Sequence, residues 1–174
     1  MKNLVFMMDV DIKGDGRYAS SRREAYKYSI DSWKKWCKKN DCELFILNDL
    51  LLPNDEMGIC WQRYYLFDIL DSNDIEYNQV AMVDADTIIH PDTPNFFEMT
   101  DGKLCGCEFD GSWDWVLRSV ENYSKYMFDN YMMDWWRYFD CGFIIVNESH
   151  KDLFKSITDF YHNNSQNLIL KKFL

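Results

Sequence analysis

Two short apolar runs, Asn3 to Met8 and Val80 to Val83, each stop abruptly at an aspartate pair, Asp9-Val10-Asp11 and Asp84-Ala85-Asp86. Runs of this length bounded by turn or charge signals read as buried strands. The segments between them carry helical periodicity. After Asp9 the chain passes through Lys13-Gly14-Asp15-Gly16, which favours a loop, and from Ser21 to Asn40 the residues Ala25, Tyr28, Trp33, Trp36 and Cys37 recur at helical spacing. Ser20 or Ser21 is placed to cap that helix, with Glu24 in its first turn. Glu43 to Leu47 is a second strand, and Asn48 to Met57, with Pro53 inside it, is a loop. Cys60 to Leu70 is helical again, with Trp61, Tyr64, Tyr65 and Ile69 toward a core and Gln62, Arg63 and Asp68 elsewhere. Strands alternating with helices define an α/β chain with a mixed, mainly parallel, Rossmann-like sheet flanked by helices. Ligands of such sheets bind at the carboxyl ends of the strands, so both aspartate pairs are expected to face one crevice.

The second half follows a different pattern. Lys103 to Phe109 and Gly142 to Asn147 read as strands, and Lys151 to Tyr161 as a closing helix with Leu153, Phe154, Ile157 and Phe160 on one stripe. Between them, Trp113 to Phe139 is a long aromatic stretch, read as a lid or acceptor side. At 174 residues one domain is expected, with the change of pattern dividing it into 1–100 and 101–174.

Composition excludes several classes. The formal net charge of -10 argues against nucleic-acid binding, which needs clustered Lys and Arg. The 47% hydrophobic content argues against disorder. No apolar run approaches a membrane span, and Met1 to Asp9 lacks a signal-peptide pattern, so a cytoplasmic chain is expected. In that compartment the six cysteines are reduced, and Cys105-Gly106-Cys107 lacks the partner motif of a zinc site. The sequons at Asn122, Asn147 and Asn163 then carry no weight.

An i, i+2 pair in extended backbone points both carboxylates to one side. Two carboxylates so close repel unless a cation lies between them, which suits Mg²⁺ or Mn²⁺ with water and phosphate oxygens completing the shell. The plainer alternative is a strand-end pair held by backbone amides or solvent. At Asp9, a calcium loop fails because Lys13 and Ser20 stand where ligands are required. A hydrolase of the haloacid dehalogenase type, using Asp9 as nucleophile and Asp11 as acid, stays open as an alternative, although no later acid pair follows a downstream strand.

Three segments in order carry a resemblance: Trp61-Gln62-Arg63-Tyr64-Tyr65, then Gln79 to Pro91 around Val83-Asp84-Ala85-Asp86-Thr87, then Tyr138-Phe139-Asp140-Cys141-Gly142 to Asn147. In these the sequence resembles the GT-A-fold glycosyltransferases, especially glycogenin-like enzymes and short virus-encoded ones. The resemblance implies transfer of a sugar from a UDP- or GDP-linked donor to a carbohydrate or glycoprotein acceptor, with Mn²⁺ or Mg²⁺. It implies that Asp86 binds the metal directly, that Asp84 shares it and meets the ribose, and that the Ala85 backbone lies beside the donor. Arg63 matches a basic residue reaching the aspartates or donor; otherwise it is a surface arginine. Asp9 and Val10 match the segment gripping base and ribose, and Arg17 or Arg22 could reach the same place. Asp140, or Asp114 in Trp113-Asp114-Trp115, could serve as general base for an acceptor hydroxyl, with a structural ion pair as the equal alternative. One or two of Trp113, Trp115, Trp135 and Trp136 are expected to stack on sugar rings, the rest being core. The family places a further metal ligand after the closing helix, where this sequence stops at Leu174, and His162 inside that helix is a poor substitute. The expectation is a water in that position or a truncated chain, with a catalytically inactive sugar-nucleotide-binding remnant as a further alternative.

Overall fold

The computed structural model describes residues 1–12, 23–108 and 111–165. The proposed cap at Ser20 or Ser21, Arg17, Arg22 and Phe109 lie outside the described residues, as does the side chain of Ala25. Five strands form one sheet: β1 (Lys2–Met8), β2 (Glu43–Leu47), β3 (Tyr77–Val83), β4 (Cys105–Glu108) and β5 (Phe139–Val146), in the order β2-β1-β3-β5-β4. The helices are α1 (Arg23–Lys39), α2 (Ile59–Gln62), α3 (Leu66–Ser72), α4 (Trp113–Met127) and α5 (Lys151–Asn164).

β1 lies inside the sheet, apolar on both faces, and pairs in parallel with β2 (Leu4 beside Glu43) and with β3 (Val5 beside Ala81). Alternation then sorts the core. Val5, Met7, Ala81 and Val83 face α1 through Trp33, Trp36 and Cys37, while Leu4, Phe6, Val80 and Met82 face α3 and α5 through Leu66, Leu70 and Phe154. Burying side chains of this size is worth about 1.5–3 kcal/mol each.

The sheet is less parallel than the sequence suggests. β5 runs antiparallel to both β3 and β4, so two of the four neighbouring pairs are antiparallel. This reversal matters for the site: because Val83 at the end of β3 pairs with Phe143 near the start of β5, the segment Asp140–Gly142 lies at the same sheet edge as Asp84. The β4–β5 register shifts between Gly106 and Cys107, from Ile144 to Asp140, which leaves Cys141 to Phe143 without β4 partners and turned toward β3.

The expected helix over Cys60–Leu70 is three pieces, α2, a 3₁₀ turn at Arg63–Tyr65, and α3. Gln62, expected outside the core, is fully buried. Its Oε1 accepts from the Leu51 and Leu52 N–H groups at 2.8 and 3.1 Å, and its Nε2 donates to the Leu52 and Met57 carbonyls at 2.9 and 2.6 Å. A buried amide with both ends satisfied pins the irregular 48–58 loop to the helix. No helix among the described residues is long and apolar enough to cross a membrane.

Candidate functional site

A crevice of about 160 Å³ opens at the carboxyl ends of β1 and β3, lined by Val10, Ile12, Tyr26, Arg63, Asp84 and Asp86 among others. The residue after β3 turns the chain. The Thr87 N–H and Oγ1 both donate to the Asp84 carbonyl, at 3.2 and 2.6 Å, and the Trp33 indole N–H donates to Thr87 Oγ1 at 3.1 Å. Ser32 Oγ accepts from the Ile89 N–H, and the Trp36 indole donates to the Thr93 carbonyl. One face of α1 thus holds the segment after β3 in place, so the Asp84–Asp86 turn is set by a helix more than fifty residues upstream. Thr87, Ser32 and the two indoles are positioning residues that the sequence reading missed; the indoles look like ordinary core residues in sequence.

Arg63, Asp84 and Gly142 meet across this turn. The Arg63 guanidinium donates to Asp84 Oδ1 through Nη2 and, at 3.0 Å, to the Cys141 carbonyl through Nη1. Burial works against the Arg63 charge, but the Asp84 carboxylate outweighs it and raises the guanidinium above its ordinary value. The surface-arginine alternative is therefore set aside. The Asp84 N–H donates to the Gly142 carbonyl at 2.9 Å, and the Gly142 N–H to Asp140 Oδ1 at 2.7 Å. Gly142 is required here by space. A Cβ at that position would stand 2.9 Å from Asp84 Oδ2 and 3.2 Å from Asp140 Oδ1, so both carboxylates crowd the same point. Asp140, Asp84 and Arg63 are thereby brought together from three distant stretches of sequence.

Behind them lies a half-buried group of phenols and a thiol, Tyr64, Tyr123, Tyr138 and Cys141. Burial, followed by the neighbouring Cys141, pushes the Tyr64 hydroxyl up. Burial followed by Tyr138 pushes the Tyr123 hydroxyl up to about 12. Both hydroxyls stay protonated at neutral pH.

The remaining candidates are placed differently. Ala85 is buried at the crevice wall, and Asp86 is exposed at its rim. The two aspartate pairs do not share the crevice as expected: Val10 and Ile12 line it, whereas Asp9 is buried, with its N–H continuing the β1–β2 ladder to the Leu47 carbonyl at 2.9 Å. Strand parity, extended one residue past β1, turns Asp9 inward. Asp114 is exposed in the first turn of α4 and accepts from Arg118 Nε at 2.9 Å, an i, i+4 pair away from the crevice. His162 contacts the Tyr65 hydroxyl at 2.5 Å rather than the aspartates. Among the described residues no three His, Cys, Asp or Glu side chains converge closely enough to hold a metal by themselves.

No protein-family model matches the sequence, and no curated protein matches it. In structure the chain is similar to a glycosyltransferase described as involved in the glycosylation of the major capsid of PBCV-1, with a TM-score of 0.60 over 92% of this chain and 8% identity. The match spans 66% of the length of that chain. At this identity the likeness is one of fold: a Rossmann-like α/β sheet shared with a glycosyltransferase.

Proposed function

We propose that the protein is a divalent-metal-dependent glycosyltransferase that moves a sugar from a UDP- or GDP-linked donor to a carbohydrate or glycoprotein acceptor. The observation that carries this reading is the Asp84–Asp86 turn at the crevice, with Arg63 on one Asp84 oxygen and a cradle kept open by Gly142 around the other. Carboxylate oxygens at an exposed rim suit Mn²⁺ or Mg²⁺, which take one or two protein carboxylates and complete the shell with water and phosphate. Asp86 and Asp84 would hold the ion. Once bound, it supplies Lewis-acid stabilisation of the diphosphate leaving group.

The chain's own residues do the rest. Val10 and Ile12 offer apolar walls for the base, and the Ala85 backbone leaves room for the donor beside the turn. The crevice is small against the usual ligand cleft of about 300–1,000 Å³, so the donor's diphosphate and sugar extend over the Asp84–Asp86 rim. Arg63 orients Asp84 and screens its charge. Asp140, exposed and beside Asp84, is the stronger choice for general base, since Asp114 is engaged with Arg118. The haloacid dehalogenase alternative is disfavoured by the burial of Asp9, because a nucleophile must face its substrate.

The test is release of UDP or GDP from nucleotide sugars with Mn²⁺ present, in wild type and Asp86→Ala. Metal-dependent release lost in the variant supports the proposal. Absence of both release and metal-dependent nucleotide binding overturns it, and binding without release identifies an inactive remnant. Turnover of a simple phosphate ester abolished by Asp9→Asn overturns it in favour of a hydrolase.

A further inference from the structure

A second cleft, of about 300 Å³, lies between the start of α4 and the 3₁₀ turn at Trp135–Arg137, at the same end of the sheet as the Asp84 turn. Its walls are Trp113, Trp135, Trp136 and Tyr138, with Glu108 at one edge and Val116 beneath. The rings are set at angles to one another: Trp113 and Trp135 have centroids 4.3 Å apart, and Trp135 and Trp136 are perpendicular at 5.3 Å. Trp113 is 62% exposed and Trp136 59%, so these faces are spent on solvent, unlike Trp33 and Trp36 in the core. Trp115, on the same helix turn as Trp113, does not line the cleft.

Apolar contact alone would be served by aliphatic residues, and such exposure of indoles costs solubility without a ligand. Here flat aromatic faces stand beside unspent polar groups. Among the described residues, neither the Glu108 carboxylate nor the indole N–H of Trp113, Trp135 or Trp136 has a hydrogen-bond partner. A ligand matching this set has apolar flat faces ringed by hydroxyls that both donate and accept, which describes a pyranose ring. The volume sits at the lower end of ligand clefts of about 300–1,000 Å³, enough for a ring or two.

The topology ties this cleft to the crevice. Glu108 pairs with Phe139 and Cys107 with Asp140 in the β4–β5 ladder, and Tyr138 stands two residues before Asp140, about 7 Å along an extended backbone. We infer that the cleft is a seat for a short pyranose oligosaccharide: Trp135 and Trp136 stack on its rings, Glu108 accepts from its hydroxyls, and the terminal sugar points toward Asp140. The inference builds on the sugar-transfer reading by giving the acceptor its class and place, but the binding itself needs neither donor nor metal.

Saturation-transfer NMR tests this on the full chain, without nucleotide or metal, using maltotriose, cellotriose, mannotriose and chitotriose as probes. The result expected is transfer to ring C–H protons of at least one probe, with affinity weakened about tenfold or more (about 1.4 kcal/mol) in Trp135→Ala with Trp136→Ala. Glu108→Gln, which keeps the shape of the cleft, should weaken binding severalfold. No transfer from any of the four probes overturns the inference. So does concentration-dependent dimerisation in sedimentation that the tryptophan variants abolish, because the cleft's occupant is then a second copy. Nucleotide binding with Mn²⁺, measured in parallel, separates the two readings: glycan binding without nucleotide binding leaves the cleft standing while the donor site fails, and the converse removes only the cleft.

Discussion

Replacing Gly142 by alanine isolates the contact on which the site turns. Its backbone φ lies outside the left-handed region, so the methyl group brings a cost in space and not in conformation. The added Cβ stands 2.9 Å from Asp84 Oδ2 and 3.2 Å from Asp140 Oδ1, against ordinary contacts of 3.4 Å or more. Asp140 is exposed and can swing away, giving up its 2.7 Å bond from the Gly142 N–H. Asp84 is tied by its other oxygen to Arg63, so the methyl group must stretch that charge-assisted bond. Bonds of this kind contribute about 1.5–3 kcal/mol, and losing part of one sets the expected destabilisation at about 1–2 kcal/mol. For a chain of this length that lowers Tm by about 2–8 °C in a calorimetric or circular-dichroism melt. Metal-dependent nucleotide binding should weaken with it, because Asp84 has moved. Gly106→Ala is the control: its Cβ meets the Phe139 ring at 2.9 Å, but that ring is 42% exposed and can turn aside, so its cost stays within about 0.5 kcal/mol. A Gly142→Ala protein with the melting temperature and nucleotide affinity of wild type would refute the reasoning.

Gln62→Leu should cost about 2–4 kcal/mol in urea titrations, since it takes the partner from the part-buried Leu51 and Leu52 amides and Leu52 carbonyl and from the buried Met57 carbonyl. Arg63→Met should cost about 1–3 kcal/mol in the same assay, with Arg63→Lys recovering only part, because an ammonium lacks the fork that serves Asp84 and the Cys141 carbonyl together. Burial pushes the Cys37 thiol up to about 12 and Cys42 to about 11, from an ordinary value of 9.0. The folded chain keeps protons that the unfolded chain releases, so this contribution is complete below about pH 9 and is lost as pH rises toward 11–12; the urea midpoint should fall across that window, and less so in Cys37→Ala.

Much of the fold is legible in the residues themselves. β1 and β2 follow from uninterrupted apolar runs, and α1 from tryptophans at helical spacing. What escapes is whatever depends on distant neighbours. Asp9 and Asp84 look alike in sequence, each opening an Asp-x-Asp after a strand. They differ because β1 keeps pairing with β2 through the Asp9 N–H, whereas the chain after β3 is turned by Thr87 under the Trp33 indole. Gln62 is polar and reads as a surface residue, yet the loop beside it has backbone groups that only a buried amide can satisfy. Strand order is equally hidden: the reversal of β5 is what carries Asp140 and Gly142 to Asp84, and no local pattern announces it. The aromatic stretch shows the same limit, since spacing could not separate Trp115 from the three indoles that share a cleft.

The most direct test of the central claim is the electron paramagnetic resonance of Mn²⁺ titrated with the protein and UDP or GDP. The account predicts that protein and nucleotide together immobilise the ion, and that Asp86→Ala or Asp84→Asn returns it to the signal of Mn²⁺ with nucleotide alone. A signal that the protein leaves unchanged with either nucleotide, or that both variants immobilise as well as wild type does, would contradict it.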